Sequence, residues 1–185
     1  MEELIQLDQE LFLYLNNLGS ATWDWFWVFI THKFASIPLY AFLLYLLYKN
    51  YGLRPTIVTV VLVAGLITCT DQLANVFKDY FERPRPCKED FMAEGRMLLD
   101  YCGSYGYFSA HAASSMALAF YLGNILKHWY KYAFVSLIFW AAIVGYSRIY
   151  VGKHYPGDVI TGIIIGALLG FGFYKLQQYL VKRFA

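Results

Sequence analysis

Long apolar segments, broken at only a few points by charged residues, constrain this chain more than any other feature. Residues 55–77 and 158–181 each reach the length of about 20 residues that a helix needs to cross a bilayer. Only 15% of the residues are charged, whereas soluble domains have roughly 25%. A backbone in lipid must satisfy its own hydrogen bonds, which favours helices. We therefore predict an all-α, polytopic integral membrane helix bundle that forms a single domain, residues 1–185.

The apolar pattern predicts about six helices, of which five are firm membrane crossings. Residues 4–18 carry leucines at helical spacing but are too short to span, so the N-terminal segment, residues 1–34, is expected to lie at the membrane interface. The tryptophans of WDWFWVF fit an interface anchor or a short embedded helix. Residues 79–108 are expected to form an external polar loop. The five crossings fall in residues 36–49, 55–77, 109–127, 131–147 and 158–181.

The basic residues predict how the chain is oriented. Five crossings place the polar loop and residues 148–157 on the same side of the membrane. By the positive-inside rule, the opposite side is cytoplasmic. A net charge of +2 and the lack of a basic tail indicate no nucleic-acid partner, and the pattern leaves the oligomeric state open. The basic residues on the cytoplasmic side are Lys49, Arg54, Lys127, Lys131, Lys182 and Arg183.

The three cysteines have different surroundings. Cys69 lies within an apolar run and is expected to be a buried thiol. Cys87 and Cys102 flank the most polar segment of the chain. They would form a disulfide if that segment faces an oxidising compartment, and two free thiols are the alternative.

Reactive side chains collect at the outer ends of four predicted crossings. Ionisable groups at membrane depth are costly, so such a cluster indicates a functional site. The lysine and two arginines suit the oxygens of a phosphate, and a serine that opens a helix adds an anion-binding helix terminus. The cluster consists of Lys78, Arg85, Ser109, His111, Arg148, His154 and Asp158.

Two histidines of this cluster fit covalent phosphoryl transfer. Asp158 follows His154 by four residues, so its carboxylate can accept one ring N–H and leave the other nitrogen as a nucleophile. His111 lies on another helix and can protonate the leaving oxygen and later activate water. A metal site made of the same three residues is the alternative. The three nearby cations argue against a divalent ion, so no metal is expected.

Three motifs in this chain resemble the signatures of the type 2 phosphatidic acid phosphatase superfamily, whose soluble relatives are vanadium haloperoxidases. The resemblance covers roughly residues 55–180, and its third motif is highly specific. The first motif is Lys78, six residues and Arg85-Pro86; the second is Phe108-Ser109-Ala110-His111, usually Pro-Ser-Gly-His; the third is Ser147-Arg148, five residues, His154, three residues and Asp158.

The resemblance implies a role for each site residue. His154 would be the nucleophile, Asp158 would orient it, and His111 would be the general acid and base. No metal or other cofactor is implied. The phosphate would be bound by Lys78, Arg85, Ser109, Ala110 through its N–H, and Arg148.

The resemblance also implies the reaction and its location. The compact chain is similar to bacterial members, so we expect an integral protein of the bacterial cytoplasmic (inner) membrane with its active site facing the periplasm or exterior. It would hydrolyse a terminal phosphate from a lipid phosphate or diphosphate through a phosphohistidine. Undecaprenyl diphosphate is the favoured substrate, with phosphatidylglycerophosphate and lipid A as alternatives. An anion or lipid transporter is the alternative of another class.

Some residues depart from the motifs or lie outside them. Phe108 and Ala110 replace the usual proline and glycine, and the methyl group of Ala110 would be costly if the backbone there requires a positive φ. Arg83 misses the motif spacing and is expected to be a solvated loop residue. His32 and Lys33 are expected to reach the lipid headgroups.

Overall fold

Helices account for the regular structure of residues 2–184, the part of the chain that the computed structural model describes, apart from one isolated bridge between Pro84 and Tyr105. The all-α prediction is confirmed. Seven α-helices are present rather than about six, because the tryptophan segment forms a helix of its own. They are α1 (Glu2–Asn17), α2 (Ala21–Thr31), α3 (Ile37–Tyr51), α4 (Leu53–Phe81), α5 (Ala110–Leu126), α6 (Ala133–Tyr150) and α7 (Pro156–Phe184).

Three of these helices are long and apolar enough to cross a membrane by themselves: α4, α6 and α7. Helices α2 and α3 meet at 78° and together have the composition of one broken span. The 17 residues of α5 lie between the other helices, and most of them are buried. The protein is therefore an integral membrane protein. The side chains of Lys33 and Arg183 lie outside the described part of the chain.

Close contact between α5 and α7 holds the bundle together. Gly166 and Gly170 lie directly against the backbone carbonyls of Ala113 and Ala117, where a Cβ atom would collide with the carbonyl oxygen. Small residues let two helix backbones approach closely in a membrane, where no hydrophobic effect drives helices together. The contact fixes the start of α7 beside the start of α5.

Short turns bring the other helix ends to the same level. Helix α4 ends where Glu82 adopts a left-handed conformation with φ of 46°, and Gly152 turns the chain between α6 and α7 with φ of 82°. Four helix ends therefore meet at one end of the bundle: the C-terminal ends of α4 and α6 and the N-terminal ends of α5 and α7.

The polar loop packs over this end and is tied to the N-terminal helices. Asn16 is fully buried, and its amide donates to the carbonyls of Arg96, Ile149 and Tyr150 at 3.1, 3.0 and 2.9 Å. The guanidinium of Arg96 binds both carboxylate oxygens of Asp24 at 2.7 Å.

Two of the three cysteines are paired in this loop. Cys87 and Cys102 form a disulfide that closes a loop with a sequence separation of 15. The prediction for Cys69 is wrong, since its side chain is exposed on the outside of the bundle. Its position within an apolar run therefore reflects a lipid-facing helix surface rather than the protein core.

Candidate active site

The cluster of reactive side chains lies where the four helix ends meet. The backbone N–H of Ser109 donates to the backbone carbonyl of Asp158 at 3.0 Å, which joins the first turns of α5 and α7. The structure brings all eight predicted site residues to this end of the bundle, namely Lys78, Arg85, Ser109, Ala110, His111, Arg148, His154 and Asp158.

The His154–Asp158 pair is enclosed by protein. The two side chains are 3% and 0% exposed, and Nδ1–H of His154 donates to Oδ2 of Asp158 at 3.2 Å. The same oxygen accepts the backbone N–H of Tyr155 at 3.1 Å. Because Nδ1 carries the proton in this arrangement, the lone pair of the imidazole is on Nε2.

The guanidinium of Arg85 faces that lone pair. Its Nη1 lies 3.3 Å from Nε2 of His154, and its Nε donates to the backbone carbonyl of Tyr105 at 2.9 Å. Gly106 packs next to these groups, since a Cβ atom there would lie 3.1 Å from Oδ2 of Asp158. The polar loop thus positions Arg85 beside the one imidazole nitrogen that is able to act as a nucleophile.

Arg148 is buried, and not all of its N–H donors have a hydrogen-bond partner among the described residues. It is 7% exposed, and its Nη1 donates to the hydroxyl of Thr31 at 2.5 Å. No partner is found for its buried Nε among the described residues. Lys78 is half-buried at the end of α4 and makes a long contact of 3.4 Å with Asn75. Both cations are therefore available to an anion.

The N-terminus of α5 completes the cluster. The hydroxyl of Ser109 caps the helix by accepting the N–H of Ala112 at 3.4 Å, while helix geometry leaves the earliest N–H groups without an intrahelical acceptor. Ala110 does not have a positive φ, so its methyl group causes no backbone strain. Phe108 is fully buried against Phe77 at a ring-centroid distance of 5.2 Å. The half-buried His111 lies in the positive electrostatic field of Arg148, Lys78 and Arg85.

Arg83 is not the solvated loop residue that we predicted. Its Nη1 donates to Oδ1 of Asp158 at 3.0 Å, and its Nη2 donates to Oδ2 of Asp8 at 2.7 Å. Its guanidinium also stacks 4.0 Å above the ring of Tyr155. No local pattern indicates these contacts, because the two carboxylate partners of Arg83 are each 75 residues away along the chain.

Lys153 is a further cation that the sequence analysis did not assign to the site. It is 5% exposed, and its ammonium group lies 5.1 Å from the ring centroid of Tyr101. The position of Lys153 immediately before His154 was the feature of the sequence that could have indicated a place in the site. Burial, together with the charges of Arg148 and Arg85, lowers the pKa of Lys153 to about 8.

The same surroundings set the charge of the proposed nucleophile. Burial, followed by the positive charges of Arg148, Arg85 and Lys78, holds the pKa of His154 well below its ordinary value of 6.5. The imidazole is therefore neutral at physiological pH, the state in which Nε2 can attack phosphorus. Among residues 2–184, no three His, Cys, Asp or Glu side chains are arranged to hold a metal ion.

Comparisons with known sequences agree with this arrangement. The family model described as the PAP2 superfamily matches residues 55–182. A lipid A 4'-phosphatase of Bacteroides thetaiotaomicron is 34% identical over 99% of this chain and 82% of its own length. A lipid A 4'-phosphatase of Porphyromonas gingivalis is 30% identical over 99% and 78%. An undecaprenyl-diphosphatase of Sulfolobus acidocaldarius is 30% identical over 92% and 78%.

Two solved structures have a similar fold. The crystal structure of Aquifex aeolicus LpxE matches with a TM-score of 0.69 and 25% identity, over 90% of this chain and 93% of that one. The phosphatidylglycerolphosphate phosphatase of Bacillus subtilis matches with a TM-score of 0.75 over 100% and 89%. At 19% identity, the second match shows the fold alone.

Proposed function

The chain belongs to the PAP2 superfamily and is a membrane lipid phosphatase, and we propose that it removes the 4'-phosphate of lipid A. One observation carries this choice of substrate: the 34% identity to a lipid A 4'-phosphatase extends over 99% of the chain. The match thus includes α1 to α3, all of which precede the region matched by the family model. Undecaprenyl diphosphate, the substrate favoured by the sequence analysis, is supported by a relative of lower identity.

In the first step, Nε2 of His154 attacks the phosphorus atom and the bond between phosphorus and the sugar oxygen breaks. The phosphate oxygens are bound by Arg85, Arg148 and Lys78, together with the N-terminus of α5. This positive environment stabilises the charge that develops on the phosphoryl oxygens in the transition state. Asp158 keeps the proton on Nδ1 and stabilises the positive charge that the imidazole acquires.

His111 is proposed to manage the protons of both steps. A sugar hydroxyl is a poor leaving group, so the departing oxygen takes a proton from His111 as the bond breaks. The negative charge of the bound phosphate offsets the neighbouring cations and favours the protonated form of His111 for this step. Water then attacks the phosphohistidine and gives a proton back to His111. The bond between phosphorus and Nε2 breaks, and inorganic phosphate leaves.

We propose that the active site faces the exterior of the bacterial inner membrane. Two observations support this orientation. The Cys87–Cys102 disulfide lies at the active-site end and fits an oxidising compartment. The basic residues predicted to be cytoplasmic, including Lys49 and Lys127, lie at the opposite ends of their helices from the site.

Phosphate release by the purified protein in detergent, with EDTA present, tests the proposal. Lipid A, undecaprenyl diphosphate and phosphatidylglycerophosphate are compared at equal concentration, each beside the His154→Ala variant. We expect lipid A to give the highest kcat/KM and the variant to release nothing. A higher kcat/KM for undecaprenyl diphosphate would overturn the choice of substrate, and release by the variant would overturn the mechanism.

A further inference from the structure

One ion-pair network beside the active site has no place in the phosphate-binding arrangement. Arg83 lies between two carboxylates, donating to Asp158 at 3.0 Å through Nη1 and to Asp8 at 2.7 Å through Nη2. The other oxygen of Asp8 accepts the backbone N–H of Gly157 at 2.8 Å. A helix from the N-terminal region is thereby linked to the first turn of α7, beside the carboxylate that holds His154.

The charges in this network explain why it is placed there. Asp158 is fully buried, so its negative charge requires compensation within the protein. A neutral imidazole supplies a hydrogen bond but no charge. Among the described residues, the guanidinium of Arg83 is therefore the cation that forms an ion pair with Asp158. Asp8 also forms an ion pair with Arg83, and its negative charge weakens the effect of the guanidinium on the His154–Asp158 pair.

We infer that Arg83 and Asp8 are positioning residues that fix the orientation of Asp158 and the protonation state of the His154–Asp158 pair. Arg83 balances the carboxylate so that the imidazole remains neutral, and Asp8 holds the guanidinium in the plane that reaches Asp158. The N-terminal helix α1 therefore contributes to the active site without touching the phosphate. This inference rests on the role proposed for His154.

Opposite changes at the two residues should have opposite effects. Arg83→Gln removes the cation, so Asp158 stabilises a positive imidazole and the pKa of His154 rises. Asp8→Asn leaves the charge of Arg83 fully available to Asp158, so the pKa of His154 falls. General damage to the fold would not move the two variants in opposite directions. The other groups that face the pair are present in both variants: Lys78, Arg85, His111, Arg148 and Tyr155.

The test uses vanadate, a phosphate analogue to which a neutral imidazole nitrogen can bond. Calorimetric titration of the detergent-purified protein with dilute vanadate is repeated from pH 8 down to about pH 4, because the pKa of His154 lies well below 6.5, to find the midpoint of the acid limb of binding. We expect Arg83→Gln to raise this midpoint by roughly one unit or more and Asp8→Asn to lower it. Arg83→Gln should also lower kcat by about 10- to 100-fold, by analogy with outer partners of ligating histidines.

Arg96→Gln is the matched control, because Arg96 binds Asp24 at 2.7 Å with similar exposure but away from the pair. It should leave the midpoint unchanged. Equal midpoints in all variants, or shifts in the same direction, would overturn the inference, as would a wild-type protein that does not bind vanadate. If Arg83→Gln does not fold, the downward shift in Asp8→Asn decides. Failure of the proposed substrate would appear separately, as vanadate binding without hydrolysis of lipid A.

Discussion

Two sets of basic side chains lie at the active-site end of the molecule, and they differ in their partners. Arg83 and Arg96 each contact a carboxylate at 2.7 Å and fasten the polar loop to the N-terminal helices. The second set, which we call the open cations, forms no ion pair with a carboxylate within residues 2–184. The open cations are Lys78, Arg85, Arg148 and Lys153.

The difference indicates which charges hold the fold and which await a ligand. Burying an uncompensated charge costs several kcal/mol, so the two buried open cations, Arg148 and Lys153, destabilise the protein until an anion binds. The guanidinium of Arg85 lies 3.3 Å from Nε2 of His154, and together the open cations offer several donors for the oxygens of a phosphate. The paired arginines have their anions already and are therefore expected to matter for position rather than for phosphate binding.

The largest expected effect is at His154. This side chain contacts Arg85, an open cation, directly, and it is linked to the paired Arg83 through Asp158. His154→Ala removes the nucleophile and should lower kcat by on the order of 10⁴-fold or more. Phosphate release from lipid A in the presence of EDTA measures the loss. A variant that kept a tenth of the wild-type rate would show that the two sets do not converge on a nucleophile.

The next largest effect distinguishes an open cation, Arg148, from a paired arginine, Arg96. Arg148→Gln should lower kcat/KM by about 10²- to 10³-fold, the size found when a group that stabilises transition-state charge is removed. Without phosphate it should also raise Tm, because an unpaired buried charge is gone. Arg96→Gln should lower Tm and leave kcat/KM within about twofold. Differential scanning fluorimetry measures the Tm of both variants, and steady-state kinetics measures their kcat/KM. Tm changes of the same sign in the two variants would contradict the distinction between open and paired cations.

Lys153 gives a smaller effect that depends on pH. Its pKa of about 8 means that the ammonium is charged below that pH and neutral above it, so affinity for an anionic substrate should fall as the pH rises through 8. The alkaline limb of kcat/KM should lie near pH 8 and amount to roughly tenfold. In Lys153→Arg the limb should move to higher pH. An unchanged alkaline limb would show that the charge of Lys153 does not contribute to binding the anionic substrate, unlike the charges of the other open cations.

The disulfide should matter least for catalysis. Joining residues separated by 15 positions stabilises a fold by about 3 kcal/mol in the chain-entropy account, so Cys87→Ser should lower Tm. The kcat of the remaining folded protein should stay within about threefold of wild type. A large fall in kcat with unchanged Tm would show that the loop acts on the open cations directly rather than through stability.

Local patterns allowed most of the site to be predicted from the sequence. The spacing of His154 and Asp158 is a helical contact of four residues, and alternating crossings place the remaining motif residues at one membrane level. Long-range contacts were not predictable in this way. The bond from Arg83 to Asp8 joins residues 75 positions apart, and the support of Arg148 by Thr31 joins residues 117 apart.

Surface properties were also hard to predict from periodicity alone. The apolar run around Cys69 is the same whether its helix face packs on protein or on lipid, so the exposure of this thiol had no signal. Nor does a sequence distinguish a buried lysine from an exposed one. Lys153 lay within the most informative motif, yet its burial depends on the polar loop that folds over it.

The most direct measurement is to trap the proposed phosphohistidine. In His111→Ala the water step should be slow, and p-nitrophenyl phosphate has a leaving group that needs no proton, so the intermediate should accumulate. Mass spectrometry after a mildly alkaline quench locates the phosphate. Our account predicts an acid-labile phosphate on His154, absent when His154→Ala is added. Phosphate on another residue, or turnover without any phosphorylated protein, would contradict it.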